Sequence, residues 1–180
     1  MGNAFARLDH ALSRSGRHSP PGAPGHLLAK AVSPWGASMQ GLAAAIALRA
    51  AGRPWVPVAL TAPAAVGVAK LLKRLTSRSR PGISRFERKG HQSFPSSHVA
   101  GPTAVLASLF VLAPRSKGWM AVLTIGTGLV AAAGLERVCA AQHWPSDVLV
   151  GAALGGAIGV AMGRAAASRA LAAPRAAQPQ

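Results

Sequence analysis

Apolar residues gather in five stretches, 32–50, 54–72, 98–114, 118–135 and 147–165, separated by polar or Pro/Gly-containing segments. Each approaches the ~17–25 residues that a helix needs to cross a bilayer. Pro57 and Pro63 fall inside the second stretch. They would break a soluble helix, whereas a membrane helix tolerates them where its neighbours satisfy the freed carbonyls. The fourth stretch, Gly118 to Leu135, carries no charge on any side, so it lacks the polar outer face of a soluble bundle helix. The pattern predicts an all-α fold: a polytopic membrane helical bundle of about five transmembrane helices.

The fifth stretch places Gly151, Gly155, Gly159 and Gly163 four apart on one face. Small residues at that spacing let two membrane helices touch. The partner is either another helix of the same chain or a second copy, forming a homo-oligomer.

The flanks differ. Residues 2–14 carry Phe5, Leu8 and Leu12 at helical spacing, with Arg7, Asp9, His10 and Arg14 elsewhere. This suits a short helix lying in the membrane interface, or else a frayed tail. Residues 15–30 contain Pro20, Pro21, Pro24, Gly16, Gly22 and Gly25 and read as a linker. The expected organisation is an N-terminal interfacial helix and linker over 1–30, a membrane domain over 31–170 and a disordered tail over 171–180.

Charge narrows the function. The formal net charge is +16, with four acids: Asp9, Glu87, Glu136 and Asp147. Such a balance fits nucleic acid, a membrane surface or an anionic substrate. The basic residues lie between long apolar runs, which favours the last two and argues against nucleic acid. Cys139 is the one cysteine, so no intrachain disulfide can form. No cleaved signal peptide is expected, since the first apolar run follows a polar, basic stretch.

Three polar islands fall at helix ends: Lys73 with Arg80-Pro81, then Pro95-Ser96-Ser97-His98, then Arg137, His143 and Asp147. In a five-span bundle all three emerge at one membrane face. Lys73, Arg80, Arg137, His98, His143 and Asp147 would meet there, a set suited to a phosphate-like dianion. Ser96 and Ser97 open the third helix, where free N–H groups would seat phosphate oxygens. Ser146 and Asp147, after Pro145, open the fifth.

These islands resemble the three motifs of the type-2 phosphatidic acid phosphatases, K-x6-R-P, P-S-G-H and S-R-x5-H-x3-D. That family shares its site with vanadium haloperoxidases and bacterial class A acid phosphatases. Lys73, Arg80 and Pro81 meet the first motif in full. Pro95, Ser96 and His98 meet the second with Ser97 in place of glycine, and Arg137, His143 and Asp147 meet the third with Glu136 in place of serine. Ser97 would cost about 1–2 kcal/mol if that position needs a positive φ. Glu136 would repel a phosphate if it faced the site, and it could instead pair with a nearby arginine.

The resemblance implies a phosphohistidine mechanism. His143 is the nucleophile, Asp147 orients it, and His98 is the general acid and then the base. Lys73, Arg80, Ser96, Ser97 and Arg137 bind the phosphate. No metal and no cofactor are implied, and His91 reads as a loop residue outside the motif. The implied activity is that of a lipid phosphate phosphatase in the cell membrane, a phosphoric monoester hydrolase. Its expected substrate is polyprenyl-linked, such as a decaprenylphosphoryl-ribose phosphate of cell-wall synthesis. The alternatives are a phosphatidic acid or phosphatidylglycerophosphate phosphatase and a catalytically silent protein that binds lipid phosphate.

Sidedness follows from the remaining basic residues. Arg7, Arg14, Arg17, Lys30, Arg74, Arg78, Arg85, Arg88 and Lys89 lie on the site side, against Arg49, Arg53, Arg115, Lys117, Arg164, Arg169 and Arg175 on the other. The surplus points the site to the cytoplasm.

Overall fold

Each predicted apolar stretch becomes one helix in the computed structural model, which describes residue 9 and residues 33–81 and 92–172. The helices are α1 (Pro34–Ala50), α2 (Val56–Thr76), α3 (Ser97–Leu112), α4 (Lys117–Cys139) and α5 (Pro145–Ala172). Local chemistry sets their starts. Ser33 caps α1 by accepting from the Gly36 amide at 3.0 Å, with Pro34 just inside. Ser116 caps α4 by accepting from Trp119 N–H at 3.5 Å, and Pro145 opens α5. Pro63 and Pro102 sit inside α2 and α3 without ending either helix.

Among the described residues three helices, α2, α4 and α5, are long and apolar enough to cross a membrane. α1 and α3 have 17 and 16 residues, so α3 rises only about 24 Å at 1.5 Å per residue. Its place in the bundle accounts for that. α3 is the central helix, buried from Ser97 to Leu112 on most of its surface. Protein surrounds it, so it need not match the hydrocarbon thickness alone. α4 is the opposite case. Ala133 and Gly134 are its buried residues, and Met120, Val122, Ile125, Leu129 and Leu135 are exposed. Exposed apolar side chains on so long a helix suit a lipid-facing position.

The glycine face of α5 is filled by α3 of the same chain. A Cβ added at Gly151 would lie 2.6 Å from the Ser96 carbonyl oxygen. One at Gly155 or Gly159 would collide with the carbonyl of Ala100 or Ala104, and one at Gly163 would lie 3.0 Å from Val111 Cβ. The two backbones touch because nothing stands between them. A second copy would therefore find this face already taken.

The interfacial helix expected over residues 2–14 lies outside the described residues except at Asp9, as do the linker over 15–30 and residues 173–180. Leu171 and Ala172, expected in the tail, belong to α5.

The contact makes a paired prediction. Gly155→Ala must push α5 off the Ala100 backbone and should cost about 1–3 kcal/mol. Gly156→Ala meets nothing within 4 Å and should leave stability level or slightly raised. Thermal unfolding of both variants in detergent checks this, and equal midpoints would refute the packing.

Candidate active site

The end of α2 turns sharply. Ser77 takes a left-handed conformation, φ 46°, and its amide donates to the Lys73 carbonyl at 3.1 Å. The next residues are clamped from two sides. Ser93 donates its amide to the Arg78 carbonyl at 2.8 Å, Ser79 pairs antiparallel with Gln92, and the Trp144 indole N–H donates to the Ser79 carbonyl at 3.0 Å. Arg80 leaves this clamp beside the starts of α3 and α5.

Ser96 precedes α3 and is fully buried. Its amide donates to the Asp147 carbonyl at 2.9 Å, which ties the start of α3 to the start of α5. Ser97 is the first helical residue and is absent from the positive-φ positions, which among the described non-glycine residues are Ser77 and Ala141. Serine therefore carries no backbone strain where the family motif has glycine.

The end of α4 explains the spacing from Arg137 to His143. Ala141 adopts φ 52°, and the amides of Gln142 and His143 both return to the Arg137 carbonyl, at 3.0 and 3.2 Å. This is the left-handed helix terminus that satisfies orphan carbonyls, here built on alanine. The Arg137 guanidinium bonds the Gln142 side chain, and its Nε lies 3.4 Å from Glu136 Oε2. Glu136 is thus paired with its neighbour.

His143 is 1% exposed and Asp147 is fully buried. His143 Nδ1 faces Asp147 Oδ2 at 3.6 Å, slightly beyond hydrogen-bond length, as such pairs often are without substrate. Asp147 is itself held by the Trp144 amide at 2.9 Å on Oδ2 and by Arg78 Nη1 at 2.8 Å on Oδ1. The His98 and His143 ring centroids stand 6.4 Å apart. His98 lies within electrostatic range of Arg137, Lys73 and Arg80, and His143 within range of Lys73 and Arg80. The structure therefore brings together Lys73, Arg80, Ser96, His98, Arg137, His143 and Asp147, with Ser97 between Ser96 and His98.

Buried polar atoms of this set, among them Arg80 Nε, Ser96 Oγ and His98 Nδ1, have no hydrogen-bond partner among the described residues. Orphaned buried polar groups cost stability, and an anion with several acceptor oxygens would satisfy the donors among them. Burial, then the charge of Arg137, holds the Arg80 guanidinium below its ordinary value, while Asp147 raises it. Burial lowers the His143 imidazole, the Asp147 carboxylate raises it, and Lys73 and Arg80 push it down. The net direction is downward, so the ring is neutral near pH 7, the form that can act as a nucleophile.

Two residues of this region escape the sequence reading. Arg78 falls among the loop cations of the charge count. It instead bonds Asp147 and Ser146 and lies 5.4 Å over the Trp144 ring. Asp9, expected among the polar residues of an interfacial helix, is 1% exposed and bonds Arg78 and Ser146. The available signal was scarcity: a chain of charge +16 has four acids, and each has many cations competing for it. His91 lies outside the described residues.

Comparison with known proteins agrees with the geometry. Residues 54–169 match the PAP2 superfamily. A decaprenylphosphoryl-5-phosphoribose phosphatase of Mycobacterium tuberculosis is 35% identical over 122 residues, 66% of this chain and 64% of that protein. The match thus spans less than two thirds of the relative. A lipid A 1-phosphatase of Rhizobium etli is 36% identical over 99 residues, 49% of this chain and 40% of that one. The crystal structure of a transmembrane PAP2-type phosphatidylglycerolphosphate phosphatase from Bacillus subtilis superposes with a TM-score of 0.59 over 93% of this chain and 88% of its own, at 21% identity. That likeness carries the fold.

The electrostatics set a measurable order. His143 should titrate below 6.5, the ordinary histidine value. Asp147→Asn removes the group that raises it, so its midpoint should fall further. Ring NMR of labelled histidines in micelles reads both, and a His143 midpoint at or above the ordinary value contradicts the geometry.

Proposed function

Because the chain belongs to the PAP2 superfamily, we propose that it is a membrane lipid phosphatase working through a phosphohistidine. The observation that carries this reading is the pair of imidazoles 6.4 Å apart, with Asp147 behind one of them and partnerless polar atoms around them.

In the proposed reaction His143 attacks phosphorus through Nε2, the ring nitrogen turned away from Asp147. The N–P bond forms as the bond from phosphorus to the lipid oxygen breaks, and His98, which takes up a proton when the bound phosphate dianion offsets Arg137, Lys73 and Arg80, gives that proton to the leaving oxygen. His98 then takes a proton from water, whose oxygen attacks phosphorus, breaking the N–P bond and releasing inorganic phosphate. Asp147 stabilises the positive charge that His143 gains. Lys73, Arg80 and Arg137, with Ser96 and Ser97, hold the phosphoryl oxygens, and preorganised donors of this kind are usually the largest catalytic contribution.

The lipid tail has a place in this scheme. A cavity of about 560 Å³ between α3, α4 and α5 is lined by Val99 and Val148, the sequence neighbours of His98 and Asp147. A substrate whose phosphate sits at headgroup depth would leave its chain there. The decaprenylphosphoryl-5-phosphoribose phosphatase among the relatives supports a polyprenyl-linked substrate, and the lipid A phosphatase keeps other lipid phosphates open to test.

Purified protein should release phosphate from a decaprenylphosphoryl-ribose phosphate faster than from phosphatidate or phosphatidylglycerophosphate, with inhibition by vanadate. His143→Ala should lose about 10³-fold or more, and Asp147→Asn about 10²-fold or more, with both proteins folded. No release from any member of the panel would leave a lipid-phosphate-binding protein without catalysis. Retained activity in His143→Ala would remove the nucleophile assignment.

The proposed orientation places the site at the cytoplasmic face, supported by the surplus of basic residues on that side. Gly90→Cys in a Cys139→Ser background should resist an impermeant thiol reagent in intact cells and react after permeabilisation. Labelling in intact cells would reverse the orientation.

A further inference from the structure

Asp9 makes contacts that a surface carboxylate would not need. It is 1% exposed, and burying a carboxylate is costly unless its oxygens are bonded. Both are. Oδ1 accepts from the Ser146 amide at 3.0 Å, and Oδ2 accepts from the Ser146 hydroxyl at 2.8 Å and from Arg78 Nη2. The amide belongs to the first turn of α5, where a negative charge is favoured by the helix dipole. Asp147 lies in the same turn and spends one oxygen on the Trp144 amide.

Arg78 connects the two acids. Its Nη1 donates to the Ser146 hydroxyl at 2.7 Å and to Asp147 Oδ1 at 2.8 Å, while Nη2 goes to Asp9. Asp9, Arg78 and Ser146 therefore close a ring of hydrogen bonds, from which Arg78 reaches Asp147. The ring places Asp147 Oδ1 toward the guanidinium and leaves Oδ2 toward His143. Arg78 is 31% exposed on its side chain, and Asp9 joins Ser146, Asp147 and the Trp144 ring in holding this long, partly solvated side chain in one position.

We propose that Asp9 is a positioning residue for the His143–Asp147 pair, acting through Arg78 and the first turn of α5. The proposal rests on the phosphohistidine reading. Asp9 divides the charge of Arg78 between two carboxylates. With Asp9 neutral, Arg78 either bears wholly on Asp147, weakening its support of a cationic His143, or swings to solvent and frees Asp147 to turn. Both reduce the rate of the chemical step and leave the phosphate contacts of Lys73, Arg80 and Arg137 untouched.

The test uses full-length protein in detergent and a lipid phosphate on which wild type is active. Asp9→Asn keeps an acceptor for the Ser146 amide and removes the charge. It should lower kcat about tenfold or more with KM within about twofold, and Asp9→Glu should retain more kcat than Asp9→Asn. Asp9→Asn combined with Arg78→Lys should be no slower than the slower single variant, since both act through one guanidinium. In Asp9→Asn the His143 ring should titrate at lower pH than in wild type. A folded Asp9→Asn with wild-type kcat, or additive losses in the double variant, overturns the proposal. Failure of Asp9→Asn to fold overturns it too, because the residue is then a structural cap. If wild type releases no phosphate from any lipid, the phosphatase reading fails separately. The His143 titration then decides, and an unchanged midpoint in Asp9→Asn overturns the coupling.

Discussion

The approach of α5 to α3 decides where the two imidazoles stand. Both helices begin at the same end of the bundle, and the glycines of α5 rest directly on the α3 backbone. At that separation the Ser96 amide reaches the Asp147 carbonyl at 2.9 Å. His98 then follows Ser96 by two residues and His143 precedes Asp147 by four, so one interhelical hydrogen bond sets the distance between the rings. A side chain at Gly155 would separate the backbones before it touched any group of the site, and one at Gly151 would strike the Ser96 backbone itself. The small residues thus serve the site through geometry, although none has chemistry of its own.

The bundle surrounds this contact with unequal strength. α3 is enclosed and α4 is mostly exposed, yet α4 delivers Arg137 and the turn to His143. Packing along α4 does not fix that delivery. The left-handed Ala141 and the two amides returning to the Arg137 carbonyl fix it, and Trp144 then fastens the following residue to Ser79. The helix can face lipid along its length while its last turn stays registered to the site.

Much of this was legible in the chain because the signals are local. Apolar runs of membrane length predicted the five helices, and the prolines inside the second misled nothing once lipid was the solvent. The spacing of Lys73, Arg80, Ser96, Ser97, His98, Arg137, His143 and Asp147 placed them at helix ends, and alternation of the helices put those ends on one face. The glycine face was readable as a contact, while its occupant was left between another helix of the same chain and a second copy. Arg78 was not readable. It lies among Arg74, Arg80 and Arg85, and no local pattern distinguishes the cation that reaches Asp147, 69 residues away. Asp9 was further out of reach, since it meets Ser146 across 137 residues from a segment that suggested an interfacial helix or a frayed tail.

The charge balance gives these two residues a common physical reason. A site that gathers Lys73, Arg80 and Arg137 around a neutral His143 is hard to assemble before its anion arrives, because like charges repel in a poorly solvated place. Asp147 is the carboxylate that faces His143 and offsets them, as Glu136 does beside Arg137, and its own burial is tolerable only while it is hydrogen-bonded on both oxygens. Arg78 supplies one of those bonds but adds another positive charge. Asp9 compensates that charge outside the His98–His143 space, where a carboxylate does not compete with phosphate. A second acid placed beside Asp147 would have neutralised the pocket intended for the anion. Placing it on the far side of a guanidinium keeps the site cationic toward substrate and balanced toward the protein.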